Sequence, residues 1–272
     1  DAIKDVKLFK GGIPARYGGR VSSVLDIFQK EGNSKEFKVN GGIGAVASRL
    51  LIEGPIQKDK TAFLAGGRAS YAHLFLPLFD IDNKAYFYDL NTKVNYIFSP
   101  KDRLLISGYF GRDVFKFEDN SAAADNPPQF NSDWGNTTLT VRWNHLFNDK
   151  LFANTSFIYN DFNFTFGAGF NDVSFAVKSA IRDFNLKMDY QYFAGPKTDV
   201  KFGASAIHHT FNPSAAEVDF GDNEINVKSP DRFAMEYGVY AQMEHDFSNK
   251  LNVNAGLRYS AFNAIGPYKD PV

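Results

Sequence analysis

The sequence predicts an all-β chain: the wall of a transmembrane antiparallel β-barrel, preceded by a short glycine-rich unit of different build. Three observations predict it. Long segments alternate apolar and polar residues at period two, the repeat of a strand and not of a helix. The connections between them alternate short and long, as on the two rims of a membrane barrel. Rings are abundant, with 28 Phe and 13 Tyr among 272 residues, which suits strands and the girdles where a barrel meets lipid headgroups.

The chain opens on a weak alternation through Ile3, Val6 and Leu8, then enters KGGIPARYGGRVSSVLDI. Within this run Gly11, Gly12, Pro14, Gly18 and Gly19 surround Lys10, Arg16, Tyr17 and Arg20. Paired glycines supply backbone angles closed to other residues and let a second surface approach closely. An alternating run, Val21 to Ile27, follows, and EGNSKE at 31–36 is a polar link. Residues 1–35 therefore read as the end of a small mixed domain, and 36–272 as the wall.

From Phe37 eleven strands are expected, at 36–45, 48–56, 61–71, 85–98, 102–114, 134–147, 150–166, 172–194, 197–212, 231–247 and 250–262. Tyr86, Tyr88 and Tyr96 share a face opposite Asp89, Asn91 and Lys93. Leu139, Val141 and Trp143 oppose Asn136, Thr138, Thr140, Arg142 and Asn144. Phe184, Met188 and Tyr190 oppose Asp183, Lys187 and Asp189; Met235, Tyr237 and Val239 oppose Glu236, and Leu257 and Tyr259 oppose Arg258. The ring-bearing faces are expected in lipid, and the charged rows in the lumen, wetting it or bonding a plug. Short turns are expected at 57–60, 99–102, 148–150, 194–197 and 248–250, and long loops at 72–84, 115–133, 167–171 and 213–230. All eleven prolines fall outside strand interiors on this reading, as the missing amide requires. About ten residues at roughly 3.3 Å each, tilted near 45°, cross an apolar band of about 25 Å, and most of these strands are long enough.

Other signals exclude more than they include. Net charge is −1, with no basic patch for nucleic acid. The absence of cysteine removes disulfides, thiol nucleophiles and thiolate metal sites. No run approaches the roughly 18 apolar residues of a membrane helix. The first residues lack the apolar core of a signal peptide. Gly42-Ile43-Gly44-Ala45-Val46-Ala47 matches a dinucleotide-binding pattern, but a strand follows where the phosphate site needs a helix. It reads as a tight hairpin. His208 and His209 are adjacent, so a regular strand points them to opposite faces, and one ion would need further ligands such as Glu217 or Asp219. No G-x-S-x-G or H-E-x-x-H motif occurs, and neither an enzyme nor a cofactor is expected.

The run from Lys10 to Ile27 resembles the end of the plug domain in TonB-dependent outer-membrane receptors, above all the SusC type. Shorter echoes recur at SRLLIEGP (48–55), FYDLNTKVN (87–95), SGYFGRD (107–113) and WGNTTLTVRWNHLF (134–147). The resemblance implies a plug inside a barrel of 22 strands in a Gram-negative outer membrane, of which eleven would be half, with Arg16 and Arg20 of the plug able to pair with lumenal carboxylates. Half a barrel leaves open strand edges in lipid, so the 272 residues are expected to be part of a longer chain. It further implies energised uptake of a glycan, peptide or metal chelate, with outer-membrane lipid, the TonB complex and a lid lipoprotein as partners. A structural or docking subunit of the same fold is the alternative, and a soluble β-sandwich is disfavoured by strand length.

Overall fold

The computed structural model describes residues 2–19, 22–79, 83–118, 128–170, 173–220 and 223–266, apart from the side chains of Phe79, Ser214, Glu224 and Lys228. Arg20 lies outside the described residues. Two sheets form. The first is a hairpin of β1 (Ile3–Phe9) and β2 (Val24–Gln29), antiparallel, with Val6 opposite Ile27.

The second sheet is the wall. It runs β3 (Lys38–Ile43), β4 (Ala47–Gln57), β5 (Thr61–Ser70), β6 (Lys84–Ser99), β7 (Asp102–Glu118), β8 (Gln129–Asn148), β9 (Leu151–Phe170), β10 (Val173–Gly195), β11 (Thr198–Asp219), β12 (Glu224–Lys228), β13 (Arg232–Ser248) and β14 (Leu251–Ile265). Each strand pairs antiparallel with the next, except that β11 pairs with both β12 and β13. All five expected short turns are present on one rim. The Gly42–Ala47 segment is the tight hairpin expected, with the Gly44 amide donating to the Ala47 carbonyl at 3.0 Å.

Four expectations are corrected. The long connections after β7 and β9 are partly strand, because pairing continues to Glu118↔Gln129 and Val173↔Phe170. The 213–230 connection holds the additional strand β12, paired with the far end of β11. The 72–84 connection contains two short 3-10 turns, Ala72–Leu74 and Leu76–Phe79. Finally, Pro55 and Pro213 lie within strand bounds. Both escape the cost of a missing amide. Pro55 lies beyond the last β3 partner, Lys38↔Glu53, and Pro213 sits where the β10–β11 register shifts, between Asn212 and Ala215. A bulge is one of the few places a sheet accepts proline.

The wall curves around the hairpin. Residues of the first 35 positions touch β6 and β7 through Gln29 and Glu31, and β13 and β14 through Ala15 and Arg16. One small unit reaches both regions only if the sheet bends about it. The face it lies on is the inner face of the wall.

Candidate functional site

Alternation places the charged rows on the inner face. Asp89, Asn91 and Lys93 of β6 all face the hairpin region: Gln29 donates to Asn91 at 3.2 Å, and Lys93 donates to the Gln29 carbonyl at 3.4 Å. Asn95 donates to the Glu31 carbonyl, and Arg103 of β7 pairs with the Glu31 carboxylate. Asp89 is buried and paired with Arg68 of β5. Arg142 donates Nε to Ser156 of β9 at 3.1 Å. On the far side of the wall, Asp183 accepts from His209 at 2.7 Å if Nδ1 carries the proton, and Glu236 lies 3.6 Å from His209 Nε2. Lys187 lies 3.4 Å from Asp189. His208, one residue along, faces the other way, toward the Phe233 ring at 6.1 Å.

The glycine-rich turn lies over β13 and β14. The Ala15 amide donates to Gln242 at 2.8 Å, and Arg258 reaches the Arg16 carbonyl at 3.5 Å. A side chain on Gly18 would run into Arg258, whereas Gly19 has φ +69° and faces Glu236. Gly12 also has positive φ, and Gly11 stands in open space. Lys10 is exposed, and the Tyr17 amide donates to the Pro14 carbonyl at 3.0 Å. For Arg16, expected to be able to pair with a lumenal carboxylate, the direct partner lies within the hairpin, and Asp189 of the wall is in electrostatic contact only. The Arg16 guanidinium bonds Asp26 of β2 at 2.8 Å, and the Tyr17 hydroxyl donates to the same carboxylate. Asp26 is closer along the hairpin than any wall acid, so the trio braces the turn internally.

Two features were not read from the sequence. Tyr240 lies on the inner face, buried, and donates to Asp189 at 2.6 Å; an alternation read through Tyr237 and Val239 would have placed it there. The second is an inversion of polarity along the strands. Toward the long-loop rim, the inner rows of β7, β8, β9 and β10 turn aromatic, with Phe115, Phe130, Trp134, Phe166 and Phe175 following the polar rows by alternation. Ring contacts of 5.9 Å (Phe115–Phe130) and 5.0 Å (Phe130–Phe166) join three of these strands. At the same height the outer face carries ion pairs, Arg112–Asp133, Arg182–Asp161 and Lys178–Glu217. Ion pairs on the outside mean water there, and rings return on the outer face at the short-turn rim with Trp143 and Tyr192. Ten residues separate Arg182 from Tyr192, and ten separate Asp133 from Trp143. At roughly 3.3 Å per residue and a tilt near 45° this is about 23 Å, close to the apolar thickness a barrel spans.

Between the hairpin and strands β4 to β8 lies a cavity of about 820 Å³, reaching from Thr138 and Tyr109 down to Asn144 and Glu31. Among the described residues no three side chains converge as metal ligands.

A wall of membrane dimensions, polar inside and bearing a small unit there, defines the class: an outer-membrane β-barrel. A family model described as TonB dependent receptor-like, beta-barrel, matches residues 70–270. The chain belongs to this family, one of receptors and transporters rather than enzymes, and its location is the outer membrane. Among solved structures, the pyoverdine outer membrane receptor FpvA from Pseudomonas aeruginosa aligns with TM-score 0.74 and 14% identity over 98% of this chain and 47% of that one. The siderophore receptor PiuA from Acinetobacter baumannii aligns with TM-score 0.69 and 12% identity over 99% of this chain and 49% of that one. The complex of FpvAI with pyocin S2 aligns with TM-score 0.72 and 14% identity, covering 98% and 43%. No curated protein matches. The chain spans less than half the length of the solved receptors it matches.

Proposed function

We propose that residues 1–35 are the end of a plug, that residues 36–272 are part of the barrel around it, and that the complete receptor imports a nutrient ligand by TonB-driven movement of the plug. The observation that carries this reading is the interface between hairpin and wall. It is made of spaced polar contacts around a cavity, not of a dry core. Polar contacts exchange with water at small net cost, about 0.5–1.5 kcal/mol each, so such a unit is held in place yet able to yield. The aromatic inner face near the long-loop rim supplies a capture surface above it. The inner charged rows are then lumenal, and the outer rings face lipid.

The opening motif favours a glycan- or peptide-importing type with a lid lipoprotein, whereas the solved relatives named as siderophore receptors favour a metal chelate. Uptake of labelled oligosaccharides, peptides and ferric chelates by cells carrying the full-length receptor, with and without TonB, separates these. The expected result is TonB-dependent accumulation of one class. A correctly assembled barrel that accumulates none of them would make it a structural or docking subunit instead.

A further inference from the structure

The cavity between hairpin and wall is lined by six cations and three carboxylates. Each carboxylate already has a cation: Asp89 has Arg68, Glu31 has Arg103, and Asp26 has Arg16, which lies outside the cavity. Four cations are left without an ion-pair partner among the described residues: Lys4, Arg49, Lys93 and Arg142. They come from β1, β4, β6 and β8, so no local feature of one strand explains their meeting. Lys93 is in electrostatic contact first with the Glu31 carboxylate, which Arg103 already pairs, and then with the cations Arg142, Arg103 and Lys4. At the lower end, the Arg103 Nε is buried without a hydrogen-bond partner.

Gathering like charges in a confined space raises the energy of the site until an opposite charge enters. The donors match the requirement. Arg49 and Arg142 offer planar forks, and Lys93 and Lys4 offer point charges, the set that binds carboxylate or phosphate oxygens. We propose that this cavity is a binding site for a multivalent oxyanion, a polycarboxylate or a phosphate-bearing group, on the short-turn side of the wall. It is distinct from the aromatic surface near the opposite rim, and it would give an anionic ligand a station between that rim and the short-turn side.

The test is calorimetric titration of the purified full-length receptor, in neutral detergent at low salt, with citrate and with inorganic pyrophosphate in parallel. Binding of citrate alone assigns a polycarboxylate site, and binding of pyrophosphate alone assigns a phosphate site. The double variant Lys93→Gln/Arg142→Gln should weaken binding at least tenfold. Lys93→Arg/Arg142→Lys, which keeps the charges, should restore it, and Arg112→Gln on the outer face should leave it unchanged. Heat-modifiable migration of each variant on gels confirms assembly. A wild-type receptor that binds neither anion, its cavity filled by the rest of the chain included, overturns the proposal, as does a double variant that binds like wild type. Binding is read without energised uptake, so its failure and a failure of transport are separate results.

Discussion

Ala15 and Gln242 are joined across 227 positions of sequence by one hydrogen bond of 2.8 Å, the Ala15 amide donating to the side-chain oxygen. Directly beneath that bond lies Gly256 of β14. A side chain there would begin 2.8 Å from the Ala15 methyl and 3.2 Å from Gln242 Cβ. The turn therefore rests on the wall where the wall has no side chain, and backbone contact substitutes for interdigitated packing.

Gly256→Val is accordingly expected to lift the turn off the wall. Crowding of this kind costs typically 1–3 kcal/mol. Urea titration of the full-length barrel should show the loss, and proteolysis between residues 10 and 20 should quicken. An unchanged profile in both measurements would place the turn elsewhere.

Gly18 and Gly19 are expected to differ, although they are neighbours. Gly19 has φ +69°, and a valine there takes on backbone strain of about 1–3 kcal/mol. Gly18 needs space rather than an unusual angle, and what occupies that space is the Arg258 side chain. A flexible arginine can swing away, giving up its contact with the Arg16 carbonyl, so Gly18→Val should cost less than Gly19→Val. Equal destabilisation of the two variants in urea contradicts this ordering.

The alternation in β6, β10 and β13 made the wall legible in sequence, because lipid on one side and water on the other impose period two. What alternation does not carry is where the outer medium changes. Phe130 and Trp134 share a parity with Thr138 and Arg142, yet they are aromatic while the residues below them are polar. The paired positions of Arg112 with Asp133, Arg182 with Asp161 and Lys178 with Glu217 on neighbouring strands show that the wall has left the membrane there. The cation cluster was hidden for a related reason. Arg49, Lys93 and Arg142 are far apart in sequence, and only the register of five strands brings them to one cavity. The bracing of Arg16 by Asp26 is local by contrast, since both lie in the opening run and β2 carries Asp26 back beside the turn.

The trio of Arg16, Tyr17 and Asp26 yields a prediction in pH. Burial, followed by donation to Asp26, pushes the Tyr17 hydroxyl above the ordinary tyrosine range. The folded unit thus holds a proton that the unfolded chain releases near the ordinary value of about 10. Stability from this group is full below that pH and falls as pH rises through it. Tyr17→Phe should flatten the alkaline slope of unfolding while leaving the neutral and acid range parallel to wild type. A variant with the same alkaline slope would assign the loss to other tyrosines.

Leu186 and Asn185 test the facing of the wall at a single height. They are adjacent on β10, and alternation sends them to opposite faces, Asn185 with Asp183 and Lys187, Leu186 with Phe184 and Met188. Leu186 is 43% exposed, which in a lipid-facing position is contact with acyl chains rather than water. It lies four residues below Arg182, whose pairing with Asp161 marks water, and six above Tyr192 at the other rim. Leu186→Arg therefore places a charge near the middle of the apolar band, where it costs about 2–4 kcal/mol. At Asn185 the same side chain enters a wet, acid-bearing lumen beside Asp183, and the expected cost is under about 1 kcal/mol, the scale of surface charge effects. Folding of both full-length variants into lipid vesicles, titrated with urea, measures the difference directly. Equal costs would mean that the two faces meet the same medium, and a lower cost at Leu186 would turn the barrel inside out.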